Sequence, residues 1–125
     1  MEVPKWIKPF FVVAGLYDGI LGALFLAIPY QLFSMTNIAP PNHIGYIQFP
    51  ALLLVIFGIM FLNIARDPVA NRNLILYGIL LKISYCGVVF LNLMQNNIPM
   101  MWVIFAVCDF IFLGLFVFAR KSIRQ

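Results

Sequence analysis

Three residues of this 125-residue chain have types that could do chemistry together: Asp18, Lys82 and Asp109. Each interrupts a long apolar run, in "AGLYDGILGA", "GILLKISYCG" and "FAVCDFIFLG". A lone charge at the middle of a bilayer costs about 2.5–3.5 kcal/mol on insertion scales. Three isolated ones would be hard to tolerate, so pairing inside one helical bundle is the cheaper arrangement. With all three ionised, the set carries a formal charge of −1. One carboxyl is then expected to hold a proton, bind a cation or face water. Such a group can bind or transport a proton, a cation or a small polar or amphipathic ligand, with Lys82 as counter-ion. The competing reading is a structural ion pair that fixes helix register, in a structural or accessory subunit of a larger membrane complex. A third reading is a membrane redox enzyme working on a bound quinone or lipid.

The elements that must position these side chains follow from composition. Apolar residues make up 64% of the chain and charged residues 10%, against roughly 25% charged in a soluble domain; the mean hydropathy is +1.02. Four apolar segments stand out, about Ile7–Tyr30, Tyr46–Ala65, Asn73–Met94 and Met100–Ala119. Each is close to the ~20 residues that cross a hydrocarbon core as a helix. A barrel would instead show short alternating strands. The expected fold is all-α, one integral membrane four-helix bundle over residues 1–125. No cleavable signal peptide is expected, because the first apolar segment is too long and lacks a clean cleavage site.

Depth counting brings the three charges to one level. Asp18 lies ten residues after Lys8, Lys82 ten after Arg72, and Asp109 eleven before Arg120. At the helical rise each sits roughly 15–17 Å from a basic marker. Stepping about 100° per residue, Gly15, Asp18, Gly19 and Gly22 share an arc of the first helix. Gly15-x-x-x-Gly19 is a small-residue packing pattern that admits a close neighbour. On the third helix Gly78, Lys82, Tyr85, Cys86, Val89, Asn92 and Asn96 form a stripe, with Tyr85 and Asn92 as candidate ligand contacts on a path to the outside. Trp102, Phe105, Asp109, Leu113 and Phe116 share a face of the fourth helix. Ala51, Leu54, Gly58 and Leu62 form the packing face of the second.

Basic residues set the expected orientation. Lys5, Lys8, Arg66, Arg72, Arg120, Lys121 and Arg124 flank the segments on one side, and the other two connections carry none. Both termini are therefore expected in the cytoplasm, of a bacterial inner membrane. Asp67-Pro68 is expected to cap and start the third helix, and Pro99 to start the fourth. Gln31–Gly45 reads as a loop in the interface, and Pro50 falls early in the second helix, as a kink if that helix starts as far back as Asn42. Short connections predict antiparallel neighbours. Cys86 and Cys108 read as small fillers, and His43 as a lone loop residue. No metal site, cofactor site, catalytic set or nucleic-acid-binding patch is legible. The lipid bilayer is the expected partner, with a homodimer through the first-helix glycines, or a larger membrane complex, beside it.

In size, helix number and internal termini the chain resembles the DoxX-like group of small membrane proteins. That resemblance implies a small four-helix membrane protein with links to redox and oxidative-stress processes, and it supplies no site residues. The chain is also similar to the small multidrug transporters, which have four helices and an acidic residue in the first, where Asp18 stands. It departs from them in carrying Lys82 and Asp109 and in its strong charge bias.

Overall fold

The computed structural model describes residues 3–123. Its helices are α1 (Ile7–Ala27), α2 (Pro29–Met35), α3 (Gly45–Arg66), α4 (Arg72–Gln95) and α5 (Met100–Ser122). Four of them, α1, α3, α4 and α5, are long and apolar enough to cross a membrane. Their outward surface has the composition lipid requires. Val13, Ile20, Ile56, Val88, Leu91 and Phe110 each leave more than half of their surface uncovered, an apolar exterior that water would not support. Asp18, Lys82 and Asp109 are instead buried.

The connection after α1 departs from expectation. α1 stops at Ala27, three residues early, because Pro29 disfavours helical geometry in the residue before it. Ile28 accordingly sits at φ −134°, ψ 50°. Pro29 then occupies the first position of α2, where its missing N–H is harmless. Part of the expected loop is thus a helix of seven residues. α2 ends on a left-handed Asn37 (φ 56°). The Ile38 N–H donates to Phe33 O and the Asn37 N–H to Ser34 O, the paired bonds of a Schellman end.

Asp67-Pro68 also differs from expectation. Asp67 closes α3, and α4 begins only at Arg72, after Asn71. Between them is a separate turn in which the Ala70 N–H donates to Asp67 Oδ1 at 3.2 Å. Asn71 Nδ2 donates to Asn63 O at 2.9 Å, which ties the turn back onto α3. Pro50 lies inside α3 as expected, and Pro99 caps α5 from just outside it.

α1 packs most closely on α3, and α4 on α5. Glycines explain the first pair. A Cβ on Gly15 would lie 2.8 Å from Gly58 O, one on Gly22 2.5 Å from Ala51 O, and one on Gly58 2.8 Å from Gly15 O. Rising numbers on α1 meet falling numbers on α3, so the two run antiparallel. Gly15 and Gly22 are thus covered within the chain, whereas a Cβ on Gly19 would meet nothing within 4 Å. Arg72 joins the other pair: its Nε donates to Arg120 O at 3.0 Å and Ile123 O at 2.7 Å, occupying carbonyls that the end of α5 leaves open.

Two apolar clusters fill the bundle. One gathers Ile7, Phe11, Phe61, Ile64, Ile75, Phe116 and Ala119. The other gathers Phe25, Phe33 and Ala51 with Trp102 and Phe105. On α1 residue 18 lies between positions 11 and 25, and on α5 residue 109 lies between 105 and 116. The charged layer sits between the two clusters.

Candidate functional site: the buried ion triad and its cavity

Lys82 is the centre of the site. Its Nζ donates to Asp18 at 2.9 Å (Oδ1) and 3.2 Å (Oδ2), and to Asp109 Oδ1 at 3.0 Å. α1, α4 and α5 thus each supply one charge at one level. An ammonium has three N–H donors, and three carboxylate oxygens face it. The Lys82 side chain is 1% exposed, and its Nζ is enclosed by these oxygens.

Aromatic rings surround the same ammonium. Nζ lies 5.4 Å from the Phe112 ring centre, 5.6 Å from Tyr17 and 5.8 Å from Phe61, within cation–π reach. Glycine makes the Phe61 contact possible. A Cβ on Gly78, one turn before Lys82, would lie 2.6 Å from the Phe61 ring. The bare backbone there lets a ring from α3 slide over the ion.

The two carboxylates are not equivalent. Asp18 is 1% exposed, and Lys82 engages both of its oxygens. Asp109 keeps 11% of its side-chain surface accessible and gives only Oδ1 to Lys82. No protein group among the described residues hydrogen bonds to its Oδ2. Both aspartates line a cavity of about 240 Å³. Its walls are otherwise apolar and aromatic, among them Leu21 and Phe25 of α1, Pro50 and Leu54 of α3, Leu81 of α4, and Trp102 and Phe105 of α5.

Of the five candidate residues read from sequence, the structure brings four to this place. Tyr85 forms part of the cavity wall, and its hydroxyl donates to Trp102 O at 3.1 Å. Asn92 stands apart: it is exposed and its amide donates to Val88 O of its own helix at 2.7 Å. Asn96 is exposed as well, so the outer half of the stripe lines no interior path. Cys86 is buried with Sγ 3.3 Å from Ala106 O, and both cysteines are free thiols. Phe112, Tyr17 and Phe61 went unread. Phe112 had a signal, being one helical step from Asp109; Phe61 had none.

Fold and site together define an all-α protein with four candidate membrane spans and a buried Asp–Lys–Asp triad. Compared with known protein families, characterised proteins and solved structures, the chain matches none. The likeness to DoxX-like proteins accordingly extends to four apolar helices in a small chain and no further.

Proposed function

We propose that this chain is a single-domain, four-span protein of a bacterial inner membrane that binds a cation, a proton or a small amphipathic ligand at mid-bilayer. Asp109 is the contact group, Asp18 the fixed carboxylate and Lys82 the counter-ion. Tyr85 contributes its ring to the wall. The observation that carries this reading is the uncommitted Oδ2 of Asp109 on a residue lining a cavity. A triad that served only to lock helices would close on itself.

Orientation follows from the basic residues. Trp6, next to Lys5, stacks on Phe118 at 5.5 Å between ring centres, and Arg72 reaches Arg120 O. One end of the bundle therefore collects the positive charge, which supports cytoplasmic termini. Arg124, also counted for this bias, lies outside the described residues.

A second reading has its own observation. Lys82 is 1% exposed and bonded to both aspartates, which suits a structural pair in an accessory subunit. The two readings separate at Asp109→Asn. That change keeps an oxygen for Lys82 and replaces the open acceptor by an N–H donor. In lipid nanodiscs, small organic cations should raise the melting temperature of the wild-type protein by mass action and leave that of Asp109→Asn unmoved. A wild-type protein indifferent to every cation tried would favour the structural pair.

A further inference from the structure

We infer that the ligand of this site is a protonated amine on an apolar body, and that it enters sideways from the lipid between α3 and α4. This rests on the binding function proposed above and names its ligand class and route.

The open valence of the site decides the ligand's polar group. Lys82 is buried and lies outside the cavity lining, the Tyr85 hydroxyl is given to Trp102 O, and Tyr17 Oη, which has no hydrogen-bond partner, is buried. An anion is repelled where two carboxylates face one ammonium. What remains is an acceptor, Asp109 Oδ2, in a set with formal charge −1. A group with an N–H bond and a positive charge satisfies both.

The walls decide the rest of the molecule. Apart from the two aspartates, the cavity is walled by Leu, Ile, Ala, Pro, Phe, Trp and Tyr side chains. A bare metal ion would lose its hydration shell and gain too few oxygen ligands. An apolar body gains contact on every side. An apolar cavity of about 150 Å³ takes a benzene-sized guest. The 240 Å³ here suits an aromatic ring carrying a short aminoalkyl chain.

The route follows from what closes the bundle. Along its axis the cavity is shut on one side by Phe25, Phe33 and Trp102, whose ring centres lie 6.0–6.3 Å apart. On the other side Phe11, Phe61 and Phe116 pack at 4.9–6.3 Å. Laterally, α1 and α5 touch less than α3 and α4, which also touch sparingly, and the exposed cavity walls pick out the α3–α4 seam. Two wall residues of α3, Pro50 and Leu53, are also exposed on the lipid-facing outside. The cavity therefore reaches the bilayer through that seam. A lipophilic amine partitions into the bilayer and meets the seam there.

The test uses the full chain in lipid nanodiscs, with phenethylamine as the probe and Trp102 fluorescence and melting temperature as readouts. Phenethylamine should bind saturably, and about tenfold or more tighter than either 2-phenylethanol, its uncharged counterpart, or guanidinium, a cation without an apolar body. Leu53→Trp, which narrows the seam from the lipid side, should slow phenethylamine association several-fold. This wild-type comparison does not depend on Asp109→Asn folding. Guanidinium binding more tightly than phenethylamine would overturn the amphipathic ligand and leave a cation site standing. An association rate unchanged in Leu53→Trp would overturn the lateral route. Absence of binding by every cation would overturn this inference together with the binding function.

Discussion

Replacing Lys82 by Met tests what holds the centre of the bundle. The variant keeps an unbranched chain of similar reach and removes the ammonium. Three charge-assisted bonds, at 2.9, 3.0 and 3.2 Å, disappear. Asp18 and Asp109, 1% and 8% exposed, are left facing each other without a counter-charge. Removing one partner of a buried ion pair costs about 3–5 kcal/mol. A single uncompensated carboxylate at mid-bilayer costs about 2.5–3.5 kcal/mol on insertion scales, so the two routes agree in size. Against a total stability of about 5–15 kcal/mol, that is a large share. The assay is reversible unfolding in mixed micelles, titrated with a denaturing detergent. The triple variant Asp18→Asn, Lys82→Met, Asp109→Asn removes every charge and should recover most of the loss, because the penalty comes from the orphaned carboxylates. A Lys82→Met protein within about 1 kcal/mol of wild type would contradict this. It would mean that the ammonium was not compensating buried charge.

Four further outcomes follow from the packing and the charge bias. Gly58→Ala would put a Cβ 2.8 Å from Gly15 O and Gly19 N, and should destabilise by about 1–3 kcal/mol in the same unfolding assay. Gly87→Ala, with nothing within 4 Å, should be neutral or stabilise by up to about 1 kcal/mol. Arg72→Ala frees the Arg120 and Ile123 carbonyls and should cost about 1–2 kcal/mol, with faster amide exchange in the last turn of α5. Cysteine placed at Asn42 should react with an impermeant thiol reagent in intact cells, whereas cysteine placed at Asn71 should react only after permeabilisation.

The triad was legible because two regularities act together. Helical rise fixes depth, and basic residues mark where each helix leaves the membrane, so Lys8, Arg72 and Arg120 served as rulers for Asp18, Lys82 and Asp109. The glycines of α1 were legible as a close-packing face, but a motif does not say which helix fills it. Gly58 of α3 does, within the same chain. Asn92 lies away from the cavity for a related reason. Face arithmetic carries a residue along a stripe, yet the outer end of α4 is exposed, and position on a stripe there no longer means an interior. The cavity had no signal at all. It depends on how far α3 and α4 stand apart, which is a property of three-dimensional packing. Pro29 was a legible helix stop, hidden by the apolar residues that continue past it.

In the proposed site Asp109 presents a free carboxylate oxygen to a ligand that enters from the membrane. Difference infrared spectroscopy on protein labelled with ¹³C-aspartate, in nanodiscs perfused with phenethylamine, reads that oxygen directly. An open site predicts a saturable, isotope-shifted change in the carboxylate band that is missing in Asp109→Asn. A flat difference spectrum from the folded wild-type protein, at amine concentrations that fill the bilayer, would contradict it and leave the triad as a closed ion pair.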